Sequence, residues 1–192
     1  MSFGLLAYLD SIKARDPAPR SRWEILLYPG VWAVFYHRIA HWLWTEGRDT
    51  MAFYLQSRIS EIFQVDIHPA ARIGSGVFID HGTGIVIGET AVVGDDVSML
   101  HGVTLGGTSA DRVDRHPKIG RGVLLAAGAK VIGNITIGDF AKVAAGAVVL
   151  QPVPSGCTAV GVPARLVNCP TCAEPSKTMD QTLPDSAYDY VI

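Results

Sequence analysis

Residues 65–103 read VDIHPAARIGSGVFIDHGTGIVIGETAVVGDDVSMLHGV, and residues 119–149 read IGRGVLLAAGAKVIGNITIGDFAKVAAGAVV. Stepping by six from Ile67 meets Ile67, Ile73, Ile79, Ile85, Ala91, Val97 and Val103. The step resumes at Ile119, Leu125, Val131, Ile137, Val143 and Val149. All are Ile, Leu or Val except Ala91. A period of six is neither the 3.6 of a helix nor the 2 of a half-buried strand. It fits a solenoid of very short strands, each placing one aliphatic side chain in a shared core before the chain turns. Between Val103 and Ile119 the count runs about ten residues over, so an arm leaves the solenoid at 109–118 (SADRVDRHPK). Insertions of this kind sit on one face of a solenoid and often form its binding surface.

Upstream the composition changes. Residues 1–64 hold all four Trp, with four of the six Phe and four of the six Tyr, and read as helical. Phe3, Leu6, Leu9 and Ile12 make one helical face, which Pro17 and Pro19 end. Residues 31–46 (VWAVFYHRIAHWLWTE) are apolar almost all round and stop at Gly47, so they require cover from partner helices. Asp49 or Thr50 starts a further helix to about Gln64, with Met51, Tyr54, Leu55, Ile59, Ile62 and Phe63 on its apolar side. Downstream, residues 168–192 lose the period and read as a flexible tail. The expected organisation is therefore 1–64 helical, 65–167 solenoid and 168–192 tail.

The chain has 192 residues, 48% hydrophobic and 18% charged, with net charge −2. That balance argues against a nucleic-acid binder, and no apolar run reaches the ~18 residues that span a bilayer. Three cysteines are too few for a disulfide framework. No secretory signal is evident, and the expected location is cytoplasmic. The CxxC at Cys169 and Cys172 is a single pair and a weak sign of metal or redox chemistry.

Six motifs stand in order: ARDPA (14–18), FQVDIHPAA (63–71), DHGTGIVIGETA (80–91), VTLGGT (103–108), DRHPKIG (114–120) and GVPAR (161–165). The repeat resembles the left-handed parallel β-helix of hexapeptide-repeat acyltransferases, and these motifs together resemble serine O-acetyltransferases. The resemblance spans roughly residues 5–167, with a shorter helical N-terminal region than many members carry. It implies transfer of the acetyl group of acetyl-CoA to the hydroxyl of L-serine, the first step of cysteine biosynthesis. It also implies a homotrimer or a dimer of trimers, and L-cysteine as feedback inhibitor.

By that resemblance His81 is the general base, and Asp66 orients its imidazole. His81 follows the Ile79 anchor in a Gly-flanked turn, so it projects outward, and imidazole suits proton transfer near neutrality. No convincing nucleophile is present, which favours direct transfer over an acyl-enzyme. Asp16 and Asp80 match positions that take the substrate ammonium, and Arg115 and His116 match those that take its carboxylate. Gly106, Gly107, Thr108, Ala127 and Ala145 would line the CoA groove, with Lys142 a candidate phosphate contact. No metal is expected. The tail ends apolar, and the resemblance implies that its terminal Ile192 inserts into O-acetylserine sulfhydrylase. The alternatives are a hexapeptide acetyltransferase for another hydroxylated acceptor, a zinc-dependent carbonic anhydrase on a similar solenoid, and a non-catalytic scaffold. The carbonic anhydrase needs a close pair of His ligands that His68, His81, His101 and His116 do not supply.

Overall fold

The computed structural model describes residues 4–111, 113–167, 169 and 174–183. Four helices come first: α1 (Leu5–Arg15), α2 (Arg22–Ile25), α3 (Pro29–Thr45) and α4 (Asp49–Phe63). The α1 helix ends at Arg15, just before Pro17, because proline disfavours helix in the residue that precedes it. Pro29 opens α3, where its missing N–H costs nothing. The apolar faces are narrower than the periodicity predicts. Leu9 and Ile12 are buried on α1 but Leu6 is exposed; on α4 Ala52 and Ile59 are buried while Met51, Tyr54 and Ile62 face outward. On α3 one face buries Ala33, Val34, Ala40 and Leu43, and the other exposes Phe35 and Trp42. Within one chain the aromatic side of α3 thus has no full cover.

From Val65 the chain winds into a parallel β-solenoid of about five turns with three faces. The first face stacks β1 (Val65–Ile67), β4 (Ile85–Ile87), β7 (Thr104–Gly106), β10 (Lys130–Ile132) and β13 (Val148–Val149). The second stacks β2 (Arg72–Ile73), β5 (Val92–Val93), β8 (Lys118–Ile119) and β11 (Thr136–Ile137). The third stacks β3 (Phe78–Ile79), β6 (Ser98–Met99), β9 (Leu124–Leu125), β12 (Lys142–Val143) and β14 (Thr158–Val160), closed by the antiparallel β15 (Arg165–Val167). Every six-step anchor lies in the core except Ile73, which packs against it half-buried.

The register corrects the phase of that count. Ile67 pairs with Ile87, Ile73 with Val93 and Ile79 with Met99, so the first coil is twenty residues long. Ile87 pairs with Leu105 and Leu125 with Val143, the regular eighteen. Two extra residues therefore enter between Ile79 and Ile87, in the turn that carries His81. Ala91, Val97 and Val103 are not the strand anchors; they stand two residues before Val93, Met99 and Leu105. Both sets point inward and both are buried, so a six-step count passes over the slip unchanged. Val93 to Ile119 spans twenty-six, so the arm adds eight residues to a regular coil rather than about ten, and it lies between β7 and β8.

Two further expectations change near the end of the chain. Within the segment read as a flexible tail, Pro175–Thr178 forms a short helix, α5, against β6 and β9. Its anchors are polar groups on the third face. Ser98 Oγ donates to the Ser176 carbonyl at 2.7 Å, and Lys142 Nζ donates to the carbonyls of Asp180 and Thr182 at 2.8 and 2.7 Å. Cys169 is bonded to Cys157 in a disulfide. The β14–β15 hairpin sets Thr158 opposite Val167 and so carries Cys169 alongside Cys157. Cys172 and Ile192 lie outside the described residues.

The seam between helices and solenoid holds a pH-sensitive group in His37. His37 is 3% exposed on α3; its Nε2 meets the Ala71 carbonyl at 3.2 Å, and its Nδ1 has no hydrogen-bond partner among the described residues. Burial, then the neighbouring His41, push its pKa down to about 4, against a small opposing pull from that carbonyl; Arg38 and His68 also face it. The unfolded chain thus binds a proton near pH 6.5 that the folded chain refuses. Stability is complete above that pH and falls as pH drops toward 4, by about 3 kcal/mol in all. Denaturant melts at pH 7 and 4.5 should show this loss, and His37→Leu should flatten it. An unchanged acid slope in the variant would remove His37 as its source.

Candidate active site

The strands of the first face all run the same way, so turns of one kind line each of its edges. The edge preceding these strands carries His81, His101, Ala127 and Ala145. The Gly102 N–H donates to Thr83, that of Gly128 to His101 and that of Gly146 to Ala127, stacking these turns in register. His81 adopts a left-handed backbone (φ 59°) and its side chain is 73% exposed. Its Nε2 lies 3.7 Å from Asp80 Oδ1, and its ring meets that of His101 edge-on at 6.0 Å.

Asp80 does not stand alone. The end of α1 brings up Asp16, which accepts from the Ala18 N–H at 2.8 Å and from the Tyr28 hydroxyl at 2.6 Å. Burial raises the Asp80 pKa above the usual carboxylate range and Asp16 adds to the rise, while His81 pulls the other way. Two carboxylates and an exposed imidazole thus meet on this edge.

The opposite edge carries Arg115 and His116, folded back by the arm. His116 is 5% exposed. The Thr90 N–H donates to its Nδ1 at 3.2 Å and Thr90 Oγ1 lies 2.9 Å from the same atom. An amide N–H can only donate, so Nδ1 accepts and the neutral ring keeps its proton on Nε2. Burial, reinforced by Arg115, lowers the His116 pKa and favours that neutral form. The ring lies against Gly88, where any Cβ would stand 2.0 Å from its Nε2, so only glycine admits it. Arg115 donates to the Ser109 carbonyl, and its side chain crosses Gly107, where a Cβ would stand only 3.0 Å from the Arg115 Cγ.

Gly84 and Gly88 bracket β4, so the two edges stand roughly 13 Å apart across the first face. The predicted site residues divide between them. Asp16, Asp80, His81, Ala127 and Ala145 stand on one side, and Gly106, Gly107, Thr108, Arg115 and His116 on the other. Asp66 lies between them at the head of the face, where Gln56 of α4 donates to its carboxylate. No hydrogen bond or ion pair joins Asp66 to His81 among the described residues. Lys142 stands on the third face, 6% exposed and taken up by the two backbone carbonyls, and so is not free for a phosphate. The sequence reading missed Tyr28, Gln56 and Thr90. Each is an ordinary helix or turn residue until the fold brings it to its carboxylate or imidazole.

The model of bacterial transferase hexapeptide repeats (six repeats) matches residues 116–151. The serine acetyltransferase of Salmonella typhimurium is 55% identical over 174 residues, covering 90% of this chain and 64% of that protein. A solved serine acetyltransferase in complex with cysteine superposes with a TM-score of 0.91 at 49% identity, over 94% of this chain and 70% of its own. The chain belongs to the serine acetyltransferase family. A serine acetyltransferase from Brucella abortus in complex with coenzyme A gives a TM-score of 0.84 at 56% identity, over 88% of this chain and 67% of its own. This serine acetyltransferase-family chain spans about 64% of the length of the curated relative it matches. Among its described helices none is long and apolar enough to cross a membrane.

Proposed function

We propose that the protein transfers the acetyl group of acetyl-CoA to the hydroxyl of L-serine, giving O-acetyl-L-serine and CoA, in the cytoplasm and as the first step of cysteine biosynthesis. The observation that carries this is the pair of charged half-sites beside an exposed imidazole. Asp16 and Asp80 offer anionic acceptors for an ammonium, and Arg115 with the His116 Nε2–H offers donors for a carboxylate. His81 takes the proton of the serine hydroxyl as its oxygen attacks the thioester carbonyl. The C–O bond forms, the C–S bond breaks, and the imidazolium returns its proton to the CoA sulfur. A backbone N–H of the small-residue edges stabilises the oxyanion. Asp66 is assigned to orient the imidazole. Asp66→Asn should lower kcat by less than loss of His81 does, because orientation is partly retained.

One amino acid is only a few ångströms long and cannot bridge ~13 Å, so the working site pairs the His81 edge of one chain with the Arg115 edge of another. A homotrimer, alone or as a dimer of trimers, supplies that pairing three times. The deciding experiment is thiol release from acetyl-CoA with L-serine and with a panel of sugars, antibiotics and other hydroxy amino acids. Far faster turnover of a sugar would replace serine as the acceptor.

L-Cysteine carries the same ammonium and carboxylate, and should inhibit competitively with L-serine. Initial rates over a grid of both amino acids test this, and inhibition indifferent to serine concentration would put cysteine elsewhere. O-Acetylserine sulfhydrylase is the proposed partner through Ile192, tested by calorimetric titration with and without that residue.

A further inference from the structure

We propose that Tyr28 is the positioning residue of the ammonium subsite, fixing Asp16 so that Asp16 and Asp80 receive one ammonium between them. This rests on the reading of the site as one for an amino acid. Asp16 follows α1 in extended backbone (φ −117°, ψ 115°), where nothing helical orients its side chain. Two donors hold it instead: the Ala18 N–H on Oδ1 and the Tyr28 hydroxyl on Oδ2. Each carboxylate oxygen has two acceptor directions, so Asp16 is fixed in place and still able to accept from a ligand.

Tyr28 is itself anchored from three sides. Its N–H donates to Ile25 at 3.0 Å and its carbonyl accepts from Val31 at 3.2 Å. Its ring packs against the buried cluster of Leu9, Ile12, Ile25, Val31 and Phe78. Two residues on, Gly30 sits against the end of β3, where any Cβ would fall 2.1 Å from the Ile79 carbonyl oxygen. That close approach presses the first turn of α3 onto the residue before Asp80.

The chemistry of the donor matters. A lysine or arginine in its place would hold Asp16 equally well and cancel its charge. The neighbouring cation, Arg15, is turned away, at 3.7 Å from Asp96 and bonded to Ser98 Oγ. Burial and the hydrogen bond to Asp16 push the Tyr28 phenol far up, so it stays a neutral donor. The subsite thus keeps two carboxylates and waits for a cation from the substrate.

The test is Tyr28→Phe, assayed with L-serine and with 3-hydroxypropionate, which is serine without its amino group. The KM for L-serine should rise about tenfold, the usual worth of one hydrogen bond to a charged group. The kcat with serine and the KM for acetyl-CoA should stay within about twofold, since neither depends on the ammonium contact. The preference for serine over 3-hydroxypropionate in kcat/KM should fall about tenfold, and Asp16→Asn should add little on top. A merely structural role would lower both acceptors together, and that result overturns the proposal, as does an unchanged serine KM. Failure of the functional reading shows separately, in the wild-type enzyme, as turnover of another acceptor. Tyr28 is then judged by the same comparison on that acceptor with and without its amine, and an acceptor that has no amine overturns the proposal.

Discussion

Replacing His81 with alanine should lower kcat by about 10²–10⁴, the usual worth of a positioned general base. The KM for acetyl-CoA should hardly move, because the imidazole meets the reacting hydroxyl rather than the body of the cofactor. The left-handed backbone at this position needs a control. Alanine is uncomfortable at positive φ, whereas asparagine visits that region readily. His81→Asn keeps the turn and removes the base, so both variants should fall together while the asparagine form melts close to wild type. Steady-state rates of thiol release decide it. Near-wild-type turnover in His81→Ala would take this residue out of the chemistry.

Two inactive variants should restore activity when mixed. His81→Ala removes the edge that holds the base, and Arg115→Ala removes a donor from the edge that holds the carboxylate. If each site draws one edge from each of two neighbouring chains, a site is whole when an Arg115→Ala chain supplies its His81 and a His81→Ala chain supplies its Arg115. Equal amounts refolded together should then recover about a quarter of the wild-type rate, the statistical share in a closed ring. Recovery should fail when the two substitutions are carried on one chain and mixed with itself. No recovery from the two singles, with mixed oligomers verified by mass, would place both edges of a site within one chain.

The family resemblance named the site residues and implied a homotrimer, but not which of these residues meet within one chain or what holds them there. The register explains the gap. Asp16 and Asp80 are sixty-four residues apart and meet because Gly30 lets α3 abut the end of β3. Arg115 and His116 return to the opposite edge because Thr90 and Gly88 receive the imidazole. Neither meeting leaves a periodic trace in the chain. The same holds for Lys142, which reads as a phosphate ligand beside its Ala- and Gly-rich neighbours. Its Nζ is drawn instead to carbonyls some forty residues downstream.

Read alone, the sequence established the solenoid, its aliphatic core, the helical region before it, the arm, and the residue types at each end of the chemistry. These are repeated at every coil, so a local period reveals them. The tertiary structure alone decided the two-residue slip at the His81 turn, since two inward positions per strand mask it from any six-step count. It alone also decided the partners: Tyr28 on Asp16, Gln56 on Asp66, Thr90 on His116 and Cys157 on Cys169. A partner depends on how many residues each coil spends before it stacks on the last, and on where a helix docks. That information is spread across the whole chain and written in no single stretch of it.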